Sequence, residues 1–254
     1  VAHFLLIALR LRLNSHGDNG FREGRRLELH VEILIAEGVT DQIVIENILA
    51  GYFDDDDLDV RYVQPPLDDT DRGRAVGNAG WGMVFKQFEN RDFLGALQFN
   101  EFLVVQIDTD VSEQKGYDVP WRDGGRELSP EELIERVIAR FRGLIGDELF
   151  AQHETRLIFA VAVHQAECWL LPLYYTDNKR QKISGCLDAV NHARKRKDAK
   201  PLATADGSKN PQSYREASEG FLKRRTLVKV CRQNPSLSVF IDALGRRFPD
   251  RTPE

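Results

Sequence analysis

The sequence predicts an α/β fold: a mostly parallel sheet with helices on both faces. Three observations carry that expectation. Apolar runs of strand length recur at residues 31–36, 58–64, 102–107 and 156–163. Segments with apolar residues at helical spacing separate them, and strands that alternate with helices imply parallel crossover connections. Two of the runs end directly in carboxylates, at Glu37 and at Asp108. In open α/β sheets, ligands bind in the crevice beyond the carboxyl ends of the strands.

The elements follow in order. Residues 31–36 form a buried strand. Thr40 is placed to cap a helix over 41–53, where Ile43, Val44, Ile48 and Leu49 keep helical spacing. An acidic turn at 54–57 leads to a strand at 58–64, which Pro65 and Pro66 end. A polar, Gly-rich stretch at 67–80 precedes a helix over about 82–99, and 102–107 is the second strong strand. A loop at 111–128 carries Trp121. Ser129-Pro130-Glu131-Glu132 then opens a helix to Ile145, with an N-cap, proline at the first position and acids in the first turn. The strand at 156–163 is followed by a helix from Cys168 to Tyr175. Beyond residue 176, apolar residues at helical spacing in 183–190, 221–230 and 237–244 predict a helical C-terminal extension that caps the sheet.

The bulk numbers bound the function. A chain of 254 residues with 42% hydrophobic content can bury a substantial core. We expect an N-terminal extension or linker at 1–28, the α/β domain at 29–175 and the extension at 176–254. The net charge of −5 excludes a generic polycation, so any contact with DNA or RNA must come from local basic stretches. Three widely spaced cysteines, Cys168, Cys186 and Cys231, lack a CxxC pair. They argue against a zinc site or a disulfide framework and for a reducing, cytoplasmic setting. No apolar run is long enough to cross a membrane. Residues 1–13 are apolar with two arginines, but the arginines come last and no small-residue cleavage site follows, so a strand or an extension is the better reading than a signal peptide.

The acids carry the chemistry. Asp108 and Asp110 alternate at a strand end and are expected to face one ion. Glu37-Gly38-x-x-Asp41 reads equally well as a tight turn with an acid favouring the helix start. Several carboxylates in one crevice repel unless a cation sits among them, and Mg²⁺ or Mn²⁺ suits an all-oxygen site. Glu167, just after a strand and before Trp169-Leu170-Leu171, is either an ordinary first-turn acid or a further ligand. His164 is read as a satisfied polar residue and Trp81 as core.

Glu37-Gly38 at the end of the first strand and Asp108-Thr109-Asp110 at the end of a later one resemble the TOPRIM fold of topoisomerases, primases and overcoming-lysogenization-defect nucleases. The Gly77–Gly82 turn, Gln165-Ala-Glu167-Cys-Trp169-Leu-Leu171 and Asn234-Pro-Ser look like the small stand-alone TOPRIM-like proteins of bacterial defence loci. The resemblance covers roughly residues 27–244. It implies a Rossmann-like TOPRIM domain and a metal-dependent nuclease that hydrolyses phosphodiesters of DNA or RNA, in a setting of bacterial anti-phage defence. Asp108 and Asp110 would hold the metal, Asp41 and Glu167 would assist, and Glu37 would bind metal or act as general base. No tyrosine is placed as a strand-cleaving nucleophile.

Asp108-Thr-Asp-Val-Ser112 also resembles the haloacid dehalogenase phosphatase signature, but that family carries it on the first strand. Lys209, in a turn before Pro211, is either a solvated loop lysine or a cation that stabilises a phosphoryl transition state. Lys86 follows a glycine turn that could meet a phosphate. Arg194, Lys195, Arg196 and Lys197 are the candidate nucleic-acid contacts, against the plainer reading of a solvated helix face. The rival function is a non-catalytic TOPRIM-like protein that binds nucleic acid or works with a partner ATPase, since the chain carries no ATPase motif of its own.

Overall fold

The computed structural model describes residues 32–66 and 80–251. The expectations for residues 1–28 and for the glycine turn at 77–79 lie outside the described residues. In chain order the elements are β1 (Glu32–Ile35), α1 (Val39–Phe53), β2 (Val60–Gln64), α2 (Trp81–Glu89), α3 (Phe93–Leu97), β3 (Leu103–Asp108), β4 (Arg122–Asp123), β5 (Arg126–Glu127), α4 (Pro130–Ile145), α5 (Asp147–His153), β6 (Leu157–Ala162), α6 (Glu167–Tyr174), α7 (Cys186–Lys195), α8 (Pro211–Ser218), α9 (Arg224–Cys231) and α10 (Pro235–Arg247). Four strands form one all-parallel sheet in the order β2-β1-β3-β6, while β4 and β5 make a separate two-stranded hairpin. The class is α/β, as expected.

The pairing of β3 with the edge strand β6 carries much of the sheet's core. Every residue of β3 and β6 is buried, and they pair in register from Leu103↔Leu157 to Asp108↔Ala162. Strands covered on both faces are near-continuous in Val, Ile and Leu for this reason. Alternate side chains split between two cores. Leu34, Val104, Ile158 and Ala160 face α1, α6 and the C-terminal helices. Ile33, Val105, Ile107, Phe159 and Val161 face α2 to α5. Gln106 and Asp108 share the parity of Val104, so the one polar residue inside β3 and the acid at its end point to the α1–α6 side.

Several local expectations are corrected. The cap of α1 is Gly38, with no side-chain hydrogen bond, and Thr40 lies buried in the first turn. The helix expected over 82–99 is two helices. It breaks at Asn90–Asp92, where Arg91 adopts a left-handed φ of 63° and the rings of Phe88 and Phe93 stack 4.7 Å apart across the bend. α8 was not expected. It starts at Asn210-Pro211 with the same side-chain cap that Asn234 gives α10. The capping box at Ser129 and Glu132 is present, and α4 ends at Ile145 as read.

The C-terminal helices are not an appendage. α8 and α9 lie against α1, and α10 lies against β6 and α4. Gly51 of α1 shows how close the approach is: a Cβ there would overlap the Phe221 carbonyl oxygen. Trp169 stacks on Phe240 with its indole N–H donated to Ser236 Oγ at 2.8 Å, which pins α10 beneath α6.

The cysteine reading is also corrected. Cys168 and Cys186 form a disulfide with Cα atoms 4.9 Å apart, tying α6 to α7. A separation of 18 residues gave no sign of it, because only the packing of the two helices brings the thiols together. Cys231 is free and buried. No helix among the described residues is long and apolar enough to cross a membrane.

Candidate functional site

Five carboxylates meet at the carboxyl ends of β1, β3 and β6. Glu37 follows β1, Asp41 stands in the first turn of α1, Asp108 ends β3, Asp110 lies in the next turn, and Glu167 opens α6. Asp41, Asp108 and Glu167 are buried, at 4%, 5% and 1% exposure, whereas Glu37 is half-buried. Lys209 reaches in from the turn before α8, with Nζ 2.9 Å from Glu167 Oε1. The sequence therefore named six residues that the fold does gather. Asp110 joins differently from the reading. The strand stops at Asp108, so the turn rather than the strand pleat aims Asp110, whose N–H is donated to the His164 carbonyl at 3.0 Å.

The protein fixes one oxygen on each of four acids. Glu37 Oε1 accepts the Asp108 N–H at 2.7 Å. Asp108 Oδ1 accepts from Gln106 Nε2 at 2.8 Å and from the Ala166 N–H at 3.1 Å. Asp110 Oδ2 accepts from Gln165 Nε2 at 2.9 Å. Glu167 Oε1 takes Lys209 and the Tyr214 hydroxyl. Two further oxygens, Asp41 Oδ1 and Glu167 Oε2, are buried with no partner. Buried polar atoms without a partner are uncommon, because each forfeits its hydration.

The electrostatics follow from this crowding. Burial, then repulsion from Asp41, pushes the Glu37 carboxyl up to about 8, against the pull of the Asp108 N–H. Burial raises Asp41 to about 6, with Lys209 opposing. Asp108 is driven well above the usual carboxylate range by burial, then by Asp41, Glu37 and Glu167. Glu167 goes the other way. Burial opposes its charge, but Lys209 and the Tyr214 hydroxyl outweigh it and hold the carboxyl below its ordinary value. Lys209 is kept protonated by Asp41 and Glu167 in spite of burial.

Among the described residues, no three Asp, Glu, His or Cys side chains converge tightly enough to form a ready-made metal ligand set. The cation that stands among the acids is Lys209.

Sequence reasoning missed the supporting residues. Gln106 accepts the Glu37 N–H at 3.1 Å while donating to Asp108, so it couples the ends of β1 and β3. A glutamine inside an otherwise aliphatic strand was the available signal. Tyr214 carried none, since it sits in a helix that the pattern did not show. Trp121 donates its indole N–H to the Thr109 carbonyl at 2.9 Å and packs against His164. Trp81 packs against Phe85 and Tyr117, as a core residue would.

The basic candidates separate. Lys86 is exposed on the last turn of α2. Arg194 is corrected as a nucleic-acid contact: it is 3% exposed and donates to the Lys200 carbonyl, the Tyr174 hydroxyl and Glu216. Lys195, Arg196 and Lys197 remain exposed. Lys223 and Arg225 line an open pocket of about 800 Å³ beside Asp54 and Asp56. That pocket lies past the far end of α1, roughly 20 Å along the helix from Asp41.

Comparison of the chain with protein-family models, curated proteins and solved structures finds no match.

Proposed function

We propose that the protein is a divalent-metal-dependent nuclease of TOPRIM type that hydrolyses phosphodiester bonds. The observation that carries this reading is the acid cluster itself. Five carboxylates from three separate chain segments, 37–41, 108–110 and 167, are brought to the ligand-binding end of a parallel sheet, and two of their oxygens are buried without a partner. An acid cluster of this kind costs stability, which argues for a use.

The donor chemistry suits a hard cation, although among the described residues the acids as they stand are not drawn into a ligand set. The donors are all oxygen, and Asp41 Oδ1 and Glu167 Oε2 lack the partner that an ion would supply. Asp108, Asp110, Asp41 and Glu167 would hold Mg²⁺ or Mn²⁺, which when bound would polarise a phosphoryl oxygen and make a coordinated water more acidic. Glu37 is anchored through Oε1 and keeps Oε2 for a water; a proton affinity near neutrality suits it to take that water's proton. Lys209 would set a fixed positive charge against the phosphoryl oxygens. Gln106 and the Ala166 N–H keep Asp108 oriented.

One observation favours a second reading. Lys209 already supplies positive charge inside the cluster, as a satisfied binding module without catalysis would need. In that case the protein would bind nucleic acid or a partner ATPase without cutting. The deciding experiment is a cleavage screen across DNA, RNA and tRNA with Mn²⁺. We expect cleavage that is lost in Asp108→Ala and in Glu37→Gln. Binding without cleavage, unchanged by either substitution, would establish the second reading.

A further inference from the structure

Two of the basic runs of the C-terminal region, 179–182 and 194–200, meet in space. Residues 177–200 hold eight Lys and Arg against three Asp, a local charge of +5 in a chain of net −5. The fold folds this segment back on itself around the Tyr174-Tyr175 pair at the end of α6. Lys179 Nζ lies 5.0 Å from the centre of the Tyr175 ring, and the Arg196 guanidinium lies 5.9 Å from the same ring. Lys197 Nζ lies 5.1 Å from the Tyr174 ring. All three cations are exposed. Among the described residues none of the three has a carboxylate within ion-pair reach. Asp177, two residues before Lys179, spends an oxygen on the Lys179 N–H, and Asp198, next to Lys197, makes no ion pair with it or with Arg196.

The rings act as a fixed platform. Tyr175 donates its hydroxyl to the Ala189 carbonyl at 2.8 Å, and the Tyr174 hydroxyl accepts from Arg194 at 3.3 Å. The disulfide between Cys168 and Cys186 holds α6 and α7, the two sides of the platform, together. A cation over an aromatic face is attracted to it but keeps its outer side for another anion. With their hydroxyls bonded and cations set over their rings, these tyrosines present charge to a ligand in place of a bare stacking face.

α6 links this platform to the acid cluster. Glu167 opens the helix and Tyr174 closes it, about 10 Å away along the axis. That distance equals about three phosphate steps of a stacked strand.

We propose that Lys179, Arg196 and Lys197 form a phosphate track that holds the sugar-phosphate backbone of a nucleic-acid strand while another part of that strand lies at the acid cluster. This rests on the proposed nucleic-acid function. The contact is to phosphates alone, so DNA and RNA bind alike and base sequence does not matter. A membrane surface is the weaker occupant, because Phe99 is the one large apolar side chain exposed among the described residues and it lies on the loop before β3, not on this platform.

The test is fluorescence anisotropy with labelled single-stranded DNA and RNA in EDTA, where no cleavage interferes. The variant K179A/R196A/K197A is compared with K223A/R225A, which removes like charge elsewhere. We expect the triple variant to lose about tenfold in affinity or more, and the slope of log K against log salt to fall by about 2, at roughly 0.7 for each lost phosphate contact. The double variant should bind as the parent does. Equal losses in both variants, or none in the triple, would overturn the track. Binding to vesicles of anionic phospholipid but to no oligonucleotide would overturn it in favour of a membrane contact. Cleavage with Mn²⁺ that the triple variant leaves untouched on long and short substrates would sink the track and spare the nuclease. Binding lost in the triple variant, with no cleavage under any condition, would keep the track and sink the nuclease.

Discussion

Lys209→Met tests whether the acid cluster depends on its internal cation. The substitution keeps length and apolar volume and removes only the charge. Lys209 Nζ lies 2.9 Å from Glu167 Oε1, and the Glu167 side chain is 1% exposed, so its carboxylate would be left largely dry. Removing one partner of a buried pair costs about 3–5 kcal/mol. The Lys209 side chain is 38% exposed, so water reaches the site and the figure drops to about 2–3 kcal/mol. That is roughly a 30- to 140-fold change in the folding equilibrium, or a fall in Tm of about 4–12 °C. The sign of the pH effect is fixed. Without Lys209, the carboxyls of Asp41, Asp108 and Glu167 all rise, because its charge lowers each of them. Acidification then lets the acids take up protons and relieves the repulsion. Urea unfolding followed by tryptophan fluorescence, in EDTA, should show the full loss at pH 8 and a much smaller one at pH 5. Added Mn²⁺ should stabilise the variant more than the parent. An equal loss at both pH values would refute the argument, because it would mean that Lys209 contributes packing and not charge.

Three more outcomes follow from the geometry. Glu37, Asp41 and Asp108 have raised values when folded, so the stability they contribute is full below the unfolded carboxylate range and is lost as pH rises through about 6 and about 8; in EDTA, Tm should fall from pH 5.5 to 8.5, and Asp108→Asn should flatten that slope. Gly51→Ala should cost about 2–4 kcal/mol in chemical denaturation, because overlap with the Phe221 carbonyl outweighs a helix-propensity gain of about 1 kcal/mol; a neutral result would show that the Phe221 segment can yield. Gln106→Leu leaves the Glu37 N–H without its acceptor and Asp108 with one donor fewer, so stability should fall by about 1–3 kcal/mol and any cleavage by more, and full activity in that variant would remove Gln106 from the site.

The sheet was legible because β3 and β6 are almost wholly apolar runs buried on both faces, and such runs leave a plain mark in sequence. Glu37 and Asp108 were legible because they stop the apolar runs of β1 and β3. What sequence could not supply was the third dimension of the site. Lys209 lies 42 positions beyond Glu167, in a polar turn that resembles any other. Arg194 looked like its three basic neighbours, and only the packing of α7 against α6 shows which cation of the run turns inward. The break between α2 and α3 was hidden because Phe88 and Phe93 continue an apolar pattern across it. α8 escaped notice because eight residues with few apolar side chains give little periodicity, although Asn210-Pro211 announced its start.

The cluster's acids come from residues 37 to 167, yet the charge that stabilises them comes from residue 209. During synthesis the acids therefore leave the ribosome first. At 5–20 residues per second, the 42 residues between Glu167 and Lys209 take about 2–8 s. For that interval the strands of the sheet are all present, but their ends carry uncompensated like charge, and α1 lacks the cover of α8 and α9. The order of the chain thus delays consolidation of the sheet until the last third of the polypeptide is made.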